Sequence, residues 1–200
     1  FFNRLSEEMI EADELLAELL SGRHDDYLSD INADQETYQL MVELYKAYQE
    51  LLLNSGRAKQ TDFSLLQKEA FDRLNQLPES GAVFKHVIVD EYQDTNTIQE
   101  KLFFKLSEGS KNLCVVGDDD QALYRFRGAT VEKFVQFPNW CRINFDQSPR
   151  RINLSINYRS EEDIVVLYQE FISRENWQTA DGDLSYRVEK QIVANKESDQ

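Results

Sequence analysis

Apolar residues recur at steps of three and four through the first third of the chain. Leu5, Met9, Ala12, Leu16 and Leu19 share one face and predict an amphipathic helix over residues 5–20, with Ser6 as its N-cap and Ser21-Gly22 as its end. Polar residues 23–34 read as a loop. Tyr38, Met41, Tyr45, Tyr48 and Leu52 repeat the spacing in a second helix closed by Asn54-Ser55-Gly56, and this tyrosine stripe reads as core packing. Asp62 is the expected cap of a third helix carrying Leu66, Ala70, Leu74 and Leu77, stopped by Pro78 and Gly81.

After Gly81 the period changes. His86 to Asp90 is a short apolar run bounded by polar residues, the pattern of a strand buried on both faces. Ile98, Leu102 and Leu106 then lie on one helical face, and Leu113 to Gly117 is a second apolar run. Strand, helix and strand in this spacing predict a βαβ unit with a parallel pair, whose ligand side lies beyond the carboxyl ends of the strands. A helix over 129–137 is expected to stop at Pro138. Ile152, Leu154 and Ile156 alternate as in a strand, and Ser160-Glu161-Glu162-Asp163 has the form of a capping box opening a helix with Ile164, Tyr168 and Ile172 on one side. A last strand is expected around Arg187 to Val193.

Two hundred residues suffice for one domain with a real core, or two small ones. The composition is that of a globular chain, with no apolar run of transmembrane length and no signal segment at the N-terminus. The chain opens Phe1-Phe2-Asn3-Arg4 without an initiator Met and is expected to be a piece of something longer. Cys114 and Cys141 lack metal-ligand spacing and read as buried thiols of a reducing cytosol. A net charge of −15 excludes a generally basic nucleic-acid-coating protein. Between Gln121 and Ser160, however, seven basic residues face two acidic ones, a local +5 inside an acidic chain.

The chemistry gathers where the two apolar runs end. Asp90-Glu91 follows the first run, and Asp118 to Asp120 with Gln121 follow the second. A carboxylate pair at a strand end suits metal-assisted phosphoryl chemistry, one group holding Mg²⁺ and its neighbour orienting or deprotonating the attacking water. A neutral amide such as Gln121 can touch both a terminal phosphate and that water. Arg159 is a candidate for the cation that stabilises transition-state charge, against the alternative of a surface pair with Glu162 or Asp163. Tyr124 and Phe126 alternate with Arg125 and Arg127, rings for stacking bases beside guanidinium groups for phosphates.

VIVDEYQDTN, VVGDDDQALYRFRGA and INYRS, in that order, resemble motifs II, III and IV of the superfamily 1 DNA helicases of the UvrD/Rep/PcrA type, and the segment from Asp62 to Leu66 resembles the stretch preceding motif II. The resemblance spans roughly Asp62 to Ile172. It implies an α/β fold with a RecA-like parallel-sheet P-loop NTPase core and a helical N-terminal region. Residues 1–60 would be the end of a helical insertion, 61–156 the later part of the first RecA-like motor domain, and 157–200 motif IV with the start of the second. The cofactors would be ATP and Mg²⁺, the partners single-stranded DNA, its junctions with duplex and the remainder of the helicase chain, with no membrane and a cytoplasmic location.

By the same resemblance Asp90 would be the Mg²⁺ carboxylate and Glu91 the catalytic base, itself close to the metal. Gln121 would meet the γ-phosphate, Tyr124, Phe126 and Arg127 the DNA, Tyr158 the adenine and Arg159 the γ-phosphate. Phe126 stands where the family often has Trp. No G-x-x-x-x-G-K-[ST] loop occurs, because none of the seven glycines is followed by Lys, so the core is incomplete and the isolated chain is expected not to hydrolyse ATP. The motor part of a helicase–nuclease, a catalytically inactive DNA- or partner-binding module, and a metal-dependent hydrolase built on Asp90, Glu91 and Asp118 to Asp120 are the alternatives.

Overall fold

A computed structural model describes residues 2–21, 35–54, 60–77, 79, 81, 83–122, 131–178 and 185–196. The chain divides into two compact units. The first comprises residues 1–89, 95–114 and 126–129, and the second residues 90–94, 115–125 and 130–200. The loop expected over 23–34 and the Ser55-Gly56 terminator lie outside the described residues.

The first unit holds α1 (Phe2–Glu7), α2 (Ala12–Leu20), α3 (Gln35–Leu53), α4 (Phe63–Gln76), β1 (Val87–Val89) and α5 (Thr97–Ser107). The single helix expected over 5–20 is two. Met9 adopts φ 60°, Ile10 N donates to Leu5 O at 2.9 Å and Met9 N to Ser6 O at 3.1 Å. That is the bond pattern of a Schellman close, normally marked by glycine and here carried by a residue that reads as helix-forming. Ser6 is accordingly no cap; it is buried, and its hydroxyl shares a 2.8 Å hydrogen bond with that of Tyr45.

The turn lets Leu5, Ala12, Leu15 and Leu19 meet Tyr38, Val42 and Tyr45 of α3 in one core, with Phe2 stacked on Tyr48 at 5.4 Å. Each fully buried apolar side chain there contributes about 1.5–3 kcal/mol. The tyrosine stripe is core, as its spacing indicates. Asp62 caps α4 as expected, accepting from Leu65 N at 2.7 Å and from the Tyr48 hydroxyl at 2.8 Å. Leu66 departs from expectation and is exposed.

β1 pairs with β2 (Leu113–Val115), and α5 connects them. Val87 N donates to Asn112 O and Tyr92 N to Val116 O, each at 2.9 Å; the partners advance together along the chain, so the strands are parallel. Mixed helices and short parallel strands make the chain α/β. The expectation of a strand buried on both faces fails: Ile88 is 74% exposed, because the described sheet has two strands and is covered on one side. Cys114, on the same open face, is exposed rather than buried, whereas Cys141 is buried as expected.

The second unit adds α6 (Val131–Phe145), β3 (Ile156–Glu161), α7 (Glu162–Ile172) and β4 (Val193–Lys196). Pro138 sits inside α6 instead of ending it. Phe137, Cys141 and Phe145 lie on one buried stripe that runs through the proline, and their burial outweighs its cost of about 3 kcal/mol. β3 and β4 pair in parallel, Ile156 opposite Val193. Both strands start later than their sequence patterns suggest, and Ile152 and Leu154 are exposed. No side chain caps α7, whose N-cap is Glu161 and not Ser160, and its buried face carries Val165 and Ile172 while Ile164 and Tyr168 are exposed.

Replacing Asp62 by Ala removes both the α4 cap and the partner of Tyr48, and should cost about 1–2 kcal/mol. Leu66→Ala should stay within about 1 kcal/mol of the parent. Urea unfolding of the three proteins checks the ordering; equal losses would contradict it.

Candidate active site

The end of β1 turns sharply. Asp90 is exposed, its Oδ1 accepting from Glu91 N at 3.0 Å, and Glu91 takes φ 52°, a left-handed conformation that costs a non-glycine residue free energy. The 3-10 turn Tyr92–Asp94 follows at once. Tyr92 is fully buried and meets the Phe137 ring edge-on at 5.3 Å, so α6 anchors the turn from below.

Gln93 sits between the two carboxylate clusters. The residue is 2% exposed; Nε2 donates to Glu91 Oε2 at 2.7 Å, and Oε1 accepts from Asp118 N at 3.1 Å. The partners fix which way the amide points, because a carboxylate can only accept and a backbone N–H can only donate. One neutral group thus ties the Glu91 side chain to the end of the second strand. Gly117 makes room for it: a Cβ there would lie 2.6 Å from Gln93 Oε1 and 2.8 Å from the Phe134 ring. Sequence reasoning passed over Gln93; an amide two residues after the acid pair was the available signal.

Asp118 opens the 3-10 turn Asp119–Gln121, accepting from Asp120 N at 3.2 Å. One carboxylate oxygen from each of Asp118, Asp119 and Asp120 lies within 4.8 Å of the other two, a spacing that could hold a metal ion. Cations of the protein already occupy the cluster. Lys190 Nζ bonds Asp118 and lies 2.5 Å from Asp119 Oδ1 and 3.1 Å from Asp120 Oδ2. The Arg187 guanidinium pairs with both oxygens of Asp120 at 2.8 and 3.2 Å, and Val188 N donates to Asp119 Oδ2 at 2.6 Å. Sequence reasoning missed Arg187 and Lys190, which are about seventy positions from their partners and stand in no motif.

By contrast, among the described residues no cation pairs with Asp90 or Glu91. An exposed, oxygen-only carboxylate of that kind fits a hard ion such as Mg²⁺, and Asp90 rather than the aspartate triplet is where the donor chemistry suits it.

The electrostatics follow from these contacts. Burial pushes the Asp118 carboxyl up, but hydrogen bonds from Lys190 and Gln121 prevail and hold it below its ordinary value. Burial likewise pulls Lys190 down, and its carboxylate partners more than reverse that. The Tyr168 phenol is raised by burial and by the negative charge of Asp120, whose carbonyl accepts from its hydroxyl at 3.4 Å.

Gln121 lies beside this cluster, its Nε2 donating to Asp118 Oδ2 at 2.8 Å. Glu91 and Gln121 therefore share one hydrogen-bonded frame, running Glu91–Gln93–Asp118–Gln121, and Asp90 adjoins it in sequence. Tyr158 and Arg159 project from β3, both exposed, and no hydrogen bond among the described residues links their side chains to that frame. Among the described residues Arg159 pairs with neither Glu162 nor Asp163. Tyr124, Arg125, Phe126 and Arg127 lie outside the described residues.

Residues 2–142 match the family model described as the UvrD/REP helicase N-terminal domain, well over half of the chain. The chain belongs to the UvrD/REP helicase N-terminal domain family. It is 36% identical over 139 residues to the ATP-dependent DNA helicase PcrA of Bacillus subtilis, covering 67% of this chain and 18% of that protein. It is 34% identical over 150 residues to an ATP-dependent helicase/nuclease subunit of Carboxydothermus hydrogenoformans, covering 74% of this chain and 12% of the relative. The chain thus spans less than a fifth of the length of these relatives. The UvrD/REP match includes Asp90, Glu91, Gln93 and Asp118 to Gln121; Tyr158, Arg159, Arg187 and Lys190 lie beyond it.

Gln93→Leu leaves the half-buried Asp118 N–H without its side-chain acceptor and should cost about 1–3 kcal/mol in urea unfolding, with Gly117→Ala at least as damaging. A pH series tests the ion cluster. Asp118 titrates lower folded than unfolded, so its stabilisation is present above about pH 4 and lost as pH falls through its folded range. Lys190 titrates higher folded, so its share is present below about pH 10.4 and lost as pH rises through its folded value. The expected plateau lies between; stability rising on acidification below about pH 4 would contradict the pairing.

Proposed function

We propose that this chain is part of an ATP-driven helicase motor that couples ATP hydrolysis to 3′-to-5′ movement on single-stranded DNA, in DNA repair or recombination. The observation that carries the reading is the frame from Glu91 through Gln93 and Asp118 to Gln121. It fixes a base candidate, which meets no cation among the described residues, to an amide candidate for sensing phosphate. Membership of the UvrD/REP family and the likeness to PcrA support it.

In this reading the carboxylate of Asp90 holds Mg²⁺, and Glu91 takes the proton of the attacking water. The left-handed backbone at Glu91 directs that carboxylate back toward Gln93, which keeps it oriented. Bound Mg²⁺ supplies charge neutralisation on the phosphates. Gln121 contacts the γ-phosphate, Arg159 stabilises the charge that develops there, and Tyr158 stacks on the adenine. Tyr124, Phe126 and Arg127 receive single-stranded DNA and its junctions with duplex.

Residues 1–60 then form the end of a helical insertion, 61–156 the later part of the first RecA-like domain, and 157–200 the start of the second. The working partner is the remainder of the helicase chain, and the location is cytoplasmic. Among the described residues no helix is long and apolar enough to cross a membrane. The likeness to a helicase/nuclease subunit favours, as a second reading, the motor part of such an enzyme.

ATP turnover of the full-length protein, with and without single-stranded DNA, tests the proposal. DNA should stimulate turnover, and Glu91→Gln should lower kcat by about a hundredfold or more. The isolated 200-residue chain, without a phosphate loop, should show no turnover. Tyr124→Ala with Phe126→Ala should weaken single-strand binding by about 1–3 kcal/mol per stacked base, and Tyr38→Ala, in the helical core, should leave the affinity of folded protein unchanged. Full-length protein without DNA-stimulated turnover would sink the motor reading.

A further inference from the structure

We propose that Lys190 is a positioning residue for the Gln121 amide, acting through the carboxylate of Asp118. The inference rests on the phosphate-sensing role proposed above for Gln121.

Asp118 divides its two oxygens between two tasks. Oδ1 takes Lys190 Nζ and Asp120 N; Oδ2 takes Gln121 Nε2 at 2.8 Å. A carboxylate is planar and rigid, so fixing one oxygen fixes the direction of the other. Gln121 is exposed, and among the described residues the Asp118 oxygen is its side chain's one hydrogen-bond partner. Its orientation therefore depends on that oxygen staying in place.

Lys190 and Asp120 N both hold Oδ1, and of the two Lys190 alone brings a positive charge. Three carboxylates lie within a few ångströms of one another, and Asp118 is the most exposed of them, at 39% against 2% for Asp119 and 5% for Asp120. Without the ammonium, repulsion by its neighbours would turn the Asp118 side chain toward water, where a carboxylate is well solvated. Gln121 would then lose its acceptor.

The turn itself has a separate support. Arg187 holds Asp120 through two bonds, and Val188 N holds Asp119. Removing the Lys190 charge thus releases Asp118 while the backbone around it remains anchored. Lys190 also contributes to the stability of the turn through Asp119 and Asp120, so its effect on orientation is read from kcat in folded protein and not from stability.

A double-mutant cycle in the full-length protein, read as DNA-stimulated ATP turnover, makes the separation. Lys190→Met should lower kcat about tenfold while KM for ATP stays within about twofold, the pattern of an interaction made in the transition state. Lys190→Arg should retain most of the activity. Lys190→Met combined with Gln121→Ala should turn over no more slowly than Gln121→Ala alone, because both remove the same function. Losses that multiply, or an unchanged kcat in Lys190→Met, overturn the proposal. Should Lys190→Met give no soluble protein, Lys190→Gln enters the same cycle, and multiplying losses there overturn it equally. If the parent protein shows no DNA-stimulated turnover, the motor reading fails first; if it does and the cycle is additive, only the role of Lys190 falls.

Discussion

Two strands that end in carboxylates cannot be brought side by side without a device that tolerates the charge. In the second unit that device is a neutral amide. Gln93 offers hydrogens to Glu91 and an oxygen to the backbone of Asp118, so it binds both strand ends without adding charge to either. A lysine in its place would neutralise Glu91 and abolish its capacity as a base; an apolar residue would leave the half-buried Asp118 N–H without that acceptor, at about 1–3 kcal/mol. The surrounding features follow from accommodating this group. Gly117 has no Cβ because one would strike it, Tyr92 is pinned against Phe137 of α6, and Glu91 bends into a left-handed conformation that brings its carboxylate within reach.

Much of this was legible in the sequence, and the reason is local. Asp62 as a cap, the tyrosine stripe of α3, the two strands and the acid pair after the first all depend on residues within a few positions of one another. The failures are of two kinds. Met9 and Pro138 are places where tertiary packing overrides propensity: a non-glycine residue closes α1 so that α2 can reach the core, and a proline is carried inside α6 because the buried stripe continues past it. Arg187 and Lys190 were invisible for a different reason. An ion pair between residues about seventy positions apart leaves no periodic trace, and nothing in a run of polar residues says which lysine will meet which aspartate.

Those two cations change the meaning of the acid clusters. Read along the chain, Asp118 to Asp120 is the richer metal candidate, with three carboxylates against two. In space it is the poorer one. An ammonium and a guanidinium already sit among its oxygens, and a divalent ion would have to displace both and expose Lys190 to the resulting repulsion. Asp90 and Glu91 carry no such counter-ions among the described residues. Competition between protein cations and metal, rather than the number of ligands, distinguishes the two clusters.

The same distinction separates a motor from a simple metal hydrolase. A hydrolase needs an acid pair and an ion, and the triplet of aspartates would be surplus to it. Here the triplet converts a long-range ion pair into the direction of a single exposed amide, Gln121, while Gln93 links that strand end back to Glu91. A chain of hydrogen bonds from base candidate to phosphate-sensing candidate goes beyond the acid pair and ion that hydrolysis by itself requires. It has one in a protein whose two strand ends must respond together to the same bound phosphate. That is why the frame through Gln93, and not the acid pair alone, carries the functional reading.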